Sequence, residues 1–225
     1  MRIAVLLAAT ALSLPAQILH PAPPDIMVKF QSAREFFDSV WKKVFALYGK
    51  PYVQPKYAEF STSPGPCGGR GPAYYCISQD TIYYNRAELV KIQNAAAAGL
   101  HTDGDYAALI VLAHELGHAV AHRLGDLEIF ADRRENAADC MAGAATREAA
   151  DAKALEAGDF EEAIFSMNMA GERGFRSPLF DQDTHGSPEE RVLNFREGYE
   201  KGWRTCGLLE LRMQQLPPAR RQERH

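Results

Sequence analysis

The chain has no second long apolar run. Its one stretch of this kind opens the sequence, from Ile3 to about Leu12 in "MRIAVLLAATALSLPAQ". That is short of the ~20 apolar residues a spanning helix needs, so an architecture built from several bilayer spans is excluded. An excess of positive charge is also lacking. Lys and Arg number 25 against 29 Asp and Glu, for a formal net charge of -4, and no basic segment is interleaved with aromatics, so no nucleic-acid partner is expected. Cysteine is sparse: Cys67, Cys76, Cys140 and Cys206 show no CxxC spacing, which argues against a cysteine-built structural zinc site. Internal repeats are absent as well.

What is present divides into four parts. Residues 1–16 read as a signal peptide, with an arginine ahead of the apolar run and small residues after it. If that segment is retained, it becomes a membrane tether; if it is cleaved, no stable membrane insertion remains. Residues 17–30, rich in Pro, read as a linker. Residues 31–209 form a single domain, and residues 210–225 a polar, disordered tail. Within the domain, "SAREFFDSVWKKVFALYGK" places Phe36, Phe37, Val40, Trp41, Val44, Phe45 and Tyr48 at helical spacing. "AYYCIS" and "TIYYN" read as a hairpin. Further helices are expected over "RAELVKIQNAAAA", "DYAALIVLAHELGHAVAHRLG", "RRENAADCMAGAATREAADAKALE" and "FEEAIFSMNMAGE". A last one covers "SPEERVLNFREGYEKGW", with Ser187 as N-cap and Pro188 at its first position. The expected fold class is α+β, mostly helical, with a small antiparallel sheet.

The stretch "VLAHELGHAV" carries the chemistry. His114 and His118 are four apart and therefore lie one above the other on a helix face. Two imidazoles so placed can reach one metal ion at about 2.0 Å each. Glu115 stands beside that face, where it can accept a proton from a metal-activated water. "ALIVLA" runs straight into the motif, so the helix is expected to be buried, and buried histidines need partners. In "ENAADC", Glu135 can supply a third ligand from the next helix. Asp139, one turn on, can accept the free ring N–H of a ligating histidine and fix its tautomer. His122 is set aside as a ligand, because three ligands stacked along one helix would span about 12 Å of axis. The metzincin pattern fails too: Ala121 and Leu124 stand where its glycine and third histidine belong.

With these motifs placed, the chain resembles the bacterial "putative neutral zinc metallopeptidase" family, which is similar to thermolysin-type gluzincins in its HExxH and ExxxD logic. The resemblance runs from about Tyr57 to Cys206. It rests on "CGGRGPAYYCISQDTIYYN", "VLAHELGHAVAH", "ENAADCMAG", "HGSPEERVLNFREGY" and Cys206. It implies a zincin-like metallopeptidase domain, secreted or membrane-tethered. It also implies one Zn2+ per chain on His114, His118 and Glu135, with Glu115 as catalytic base and a peptide or protein as substrate. Membrane-embedded peptidases share the HExxH and ExxAD pairing but need several spans, which this chain lacks.

Three further expectations complete the reading. His185, in the loop "FDQDTHGSPEER", is a candidate oxyanion donor, with Gly186 to turn the backbone and Asp181 or Asp183 to orient the ring. A substrate strand is expected to add to the hairpin edge at "TIYYN". An even number of cysteines in an exported chain suggests disulfides: Cys67–Cys76 closes a Gly/Pro-rich loop, and Cys140–Cys206 ties the ligand helix to the C-terminal segment. Cys140 lies about 140° round the helix from Glu135, away from the metal face. The rival reading is an exported module that binds zinc without catalysis. Glu115 speaks against it, since metal binding alone has no use for that carboxylate.

Overall fold

In the computed structural model, residues 25–124, 134–170 and 186–207 are described. The expected signal peptide, most of the linker, the C-terminal tail, His185, Asp181 and Asp183 all lie outside these residues. Among the described residues no helix is long and apolar enough to cross a membrane.

Helix α1, Ile26–Leu47, starts earlier than its sequence suggested. The Asp25 side chain caps it by accepting the Met27 N–H, and Ile26 and Phe30 extend the buried stripe that continues through Phe37, Trp41 and Phe45. The prolines ahead of Asp25 hide this first turn, because Pro is tolerated up to a helix start but carries no helical signal. Strands β1 (Lys56–Glu59), β2 (Ala73–Cys76) and β3 (Thr81–Tyr84) follow, in sheet order β1-β3-β2. The expected hairpin is there, with β2 antiparallel to β3 and Tyr75 opposite Ile82. The sheet as a whole is mixed rather than antiparallel, because β1 pairs in parallel with β3 in the register Lys56 to Thr81. β1 is a four-residue strand with exposed ends, too short for alternation to announce it. Its pairing is set by contacts distant in sequence.

Helices α2 (Arg86–Leu100), α3 (Asp105–Leu124), α4 (Arg134–Asp151), α5 (Asp159–Ala170) and α6 (Pro188–Lys201) complete the described elements. α4 stops short of its expected end: Lys153 takes a left-handed conformation, and the Ala154 N–H returns to the Ala149 carbonyl, closing the helix. α6 starts as expected, with Ser187 and Glu190 forming a capping box.

α3 is the axis of the molecule. Nearly every residue from Asp105 to Val120 is buried, and α1, α2, α4, α5 and the sheet all pack around it. Ile110 and Leu116 on α3, Trp41, Phe45, Ile82, Leu89, Met141 and Phe195 are almost fully excluded from solvent. Each such side chain contributes roughly 1.5–3 kcal/mol by burial. Close approach sets the helix spacing at two places. A Cβ on Gly117 would lie 3.0 Å from the backbone of Ala138, so α4 sits directly against the metal-motif helix. Where α4 meets α6, a Cβ on Gly143 would fall 1.9 Å from the Phe195 carbonyl oxygen. The Cys140–Cys206 disulfide ties α4 to the turn that follows α6, and Cys67–Cys76 closes the loop before the hairpin. Both pairings are the expected ones.

Candidate metal centre

The α3–α4 contact at Gly117 brings the two motif helices together along one face. His114 Nε2 and His118 Nε2 are 3.1 Å apart. Each is 3.2 Å from a Glu135 carboxylate oxygen, His114 from Oε2 and His118 from Oε1. Two ring nitrogens and a carboxylate thus converge on one point, all within 4.8 Å of one another. Four-coordinate ligands at about 2.0–2.1 Å from a zinc ion stand roughly 3.3 Å apart. The spacing and the His2Glu donor set both fit that ion.

The side of His114 away from this point is firmly held. Its Nδ1 donates to Asp139 Oδ1 at 2.7 Å, which leaves Nε2 as the ring's other pole. Asp139 has no solvent exposure. Its charge is met by Arg191 of α6, whose Nε reaches Oδ2 at 3.0 Å and whose Nη2 reaches Oδ1 at 2.7 Å. This two-point grip on a carboxylate suits a guanidinium. Burial opposes a charged His114, but Asp139, with help from Glu135, outweighs it and pushes the imidazole up to about 10 before any ion binds. An incoming metal must displace that proton, so uptake is coupled to proton release.

Glu115 is buried but turned elsewhere. Its Oε2 accepts the main-chain N–H of Tyr75 on β2 at 2.8 Å. The strand beside the site is therefore β2. "TIYYN" is β3, which lies in the middle of the sheet with β1 on one side and β2 on the other. Its main chain is already paired on both flanks, and a peptide cannot add there. His122 lies off the cluster: its Nδ1 is 2.8 Å from the Tyr75 hydroxyl, which donates to Asp80. Arg123 also pairs with Asp80. The last turn of α3 is thereby fastened to β2 and to the turn that follows it.

Two residues of this arrangement escape a reading of the sequence. Arg191 sits inside the "HGSPEER" motif, yet only packing decides which face of α6 it occupies. The usable signal was the need of a buried Asp139 for a cation. Tyr75 contributes a main-chain N–H, and side-chain identity carries no trace of that.

Comparison with known proteins agrees with this geometry. The sequence profile of the "putative neutral zinc metallopeptidase" family matches residues 32–207. Among curated relatives, the uncharacterized protein YpfJ of Escherichia coli (strain K12) is 29% identical over 191 residues, covering 73% of this chain and 64% of its own length. The uncharacterized protein Rv2575 of Mycobacterium tuberculosis (strain ATCC 25618 / H37Rv) is 26% identical over 191 residues, with the same coverage. The chain thus spans about 64% of the length of these relatives. No solved structure matches it. With a profile match across most of its length and His114, His118 and Glu135 of the two motifs gathered at one point, the chain belongs to the "putative neutral zinc metallopeptidase" family.

Proposed function

We propose that the protein is an exported zinc metalloendopeptidase that holds one Zn2+ on His114, His118 and Glu135 and hydrolyses peptide bonds with Glu115 as general base. The observation that carries this reading is the division of labour around α3: three donors converge on one point, while Glu115, next to the first of them, faces the strand β2. When bound, the ion supplies Lewis acidity, polarising a carbonyl and lowering the pKa of water to roughly 7. The remaining steps belong to the chain's own groups. Asp139 and Arg191 hold His114 in the tautomer that turns Nε2 towards the donor cluster. Tyr75 N–H holds Glu115 Oε2, so Oε1 takes the proton of the attacking water and passes it to the leaving amine. An extended peptide lies along β2, the strand that touches Glu115. Two disulfides suit an oxidising compartment and support export.

The test pairs metal analysis with a quenched-peptide assay. Wild type is expected to hold one zinc and cleave, and to stop when a chelator removes the metal. Glu115→Gln is expected to keep zinc and to lose hydrolysis by about 10²-fold or more, because an amide cannot take up the proton. Full activity in Glu115→Gln sinks the base assignment. Zinc without hydrolysis of any peptide in the wild type favours a silent binding module.

A further inference from the structure

The other end of α3 holds a second cluster of possible ligands. Asp103, Asp105, Asp159 and Glu162 each offer a carboxylate oxygen, all within 4.8 Å of one another, and the last three are buried. Some of this charge has an internal explanation. Glu162 reaches across from α5 to cap α3, accepting the N–H groups of Gly104, Tyr106 and Ala107. Lys29 of α1 pairs with Asp103 at 3.2 Å and also with Asp105. Among the described residues, ion pairs to this cluster come from Lys29 alone, and they reach Asp103 and Asp105.

Two buried oxygens remain over. Asp159 is 5% exposed, and among the described residues its Oδ1 has no hydrogen-bond partner, although Oδ2 accepts the Glu156 N–H at 2.8 Å. Thr102 Oγ1 is also buried with no partner among the described residues. Thr102 precedes Asp103 and packs against Gly158, where a Cβ would lie 2.6 Å from its Cγ2. The loop before α3 and the loop before α5 thus meet beside the carboxylates, and among the described residues two buried oxygens there, Asp159 Oδ1 and Thr102 Oγ1, have no hydrogen-bond partner. A buried carboxylate oxygen without a donor is costly. A hard cation answers both the missing partner and the surplus negative charge.

We propose that Asp103, Asp105 and Asp159, backed by Glu162, form a structural calcium site that pins the start of α5 to the start of α3. The donor set contains only oxygen, which suits Ca2+ and its tolerance of irregular coordination, and does not suit zinc. On binding, Lys29 keeps its contact with Glu156, 2.9 Å away, and gives up part of its hold on the aspartates. The site is separate from the His114–His118–Glu135 cluster and does not rest on the peptidase reading.

The experiment is thermal unfolding of zinc-loaded protein at a fixed free zinc concentration, dialysed free of calcium and titrated with CaCl2, with MgCl2 and NaCl at matched ionic strength alongside. CaCl2 is expected to raise Tm with the logarithm of its concentration above Kd, by about 5–10 °C when calcium exceeds Kd a hundredfold. Asp159→Asn is expected to abolish the response. Asp103→Asn, at a less buried position, is expected to weaken it and provides a second variant should the first fold poorly. A flat calcium titration in the wild type overturns the site. So does an equal rise with NaCl, or an undiminished response in both variants. A Tm that rises on acidification and ignores calcium also overturns it, because a proton then fills the place assigned to the ion.

Discussion

The two ends of α3 gather buried charge in opposite ways. At the motif end every buried charge has a named partner of the other sign or a matching donor: His114 has Asp139, and Asp139 has Arg191. At the N-terminal end, carboxylates from two loops crowd around a single Lys29, and one oxygen of Asp159 is left over. The first arrangement is complete within the protein and gathers the two Nε2 atoms and the Glu135 carboxylate at one point. The second is incomplete, and its deficit is charge. Removing a charge should therefore harm the first region and relieve the second.

The sharpest way to break this contrast is Arg191→Met. It leaves the Asp139 carboxylate buried and half-paired, a change expected to cost about 3–5 kcal/mol of folding stability. Zinc affinity is expected to fall about 10–100-fold, because His114 loses its orientation. Denaturant unfolding and competitive zinc titration measure the two effects. A variant as stable as wild type with unchanged affinity would show that α6 contributes packing alone.

The next effect concerns how α6 is held in place. Replacing Cys140 and Cys206 together by alanine opens a bridge that spans 66 residues, with an expected loss of about 2–4 kcal/mol. Because Cys140 follows Asp139 directly and α6 carries Arg191, zinc affinity should weaken as well. Removing Cys67–Cys76, which spans only 9 residues, should cost less. Stability measurements on both double variants check the order, and the reverse order would move the weight of the fold to the hairpin loop.

The elements that the sequence disclosed are those whose signal is local. Helical spacing marked α2 to α6, the Ser187–Pro188 start of α6 appeared as written, and HExxH with ExxxD marked the donors, because four-residue spacing means one face wherever a helix forms. Contacts distant in sequence were not legible. The parallel pairing of β1 with β3 joins residues some two dozen positions apart, and a four-residue strand gives no period to read. Arg191 meets Asp139 across 52 positions, and Glu162 caps α3 across more than 50. In each case the partner is chosen by how helices pack, and a single sequence does not state that.

A smaller effect comes from pH at the acidic end. In calcium-free protein, burial pushes the Asp159 carboxyl up to about 7; the Glu156 N–H opposes the rise, and Asp105, Glu162 and Glu156 add to it. An acid bound more tightly to its proton in the folded state contributes stability that is complete below its unfolded value near 4. That contribution is lost as pH rises through about 7. Wild type should therefore lose stability progressively between about pH 4 and 7 and level off above that, and Asp159→Asn should show a flatter dependence over the same range. The comparison between the two proteins cancels the titration of groups they share, including Lys29. Parallel curves would mean that Asp159 is not the group responsible.

The smallest expected effect is Tyr75→Phe, which tests how β2 is joined to the metal helix. The Tyr75 hydroxyl is 2.8 Å from His122 Nδ1 and donates to Asp80 at 2.7 Å, while its main-chain N–H holds Glu115. Phenylalanine removes the first link and keeps the second. His122 and Asp80 are only partly buried, so water can replace the lost partner, and the change in stability should stay within about 1 kcal/mol. Zinc content should not change, because none of the three donors touches Tyr75. What should change is the placement of the strand under Glu115: kcat is expected to fall severalfold, with KM rising as β2 loses its fixed distance from α3. Loss of zinc in Tyr75→Phe would mean that the sheet supports the donor cluster itself. Kinetics identical to wild type would mean that the main-chain contact alone positions Glu115, with the His122–Asp80–Arg123 clamp serving only the fold.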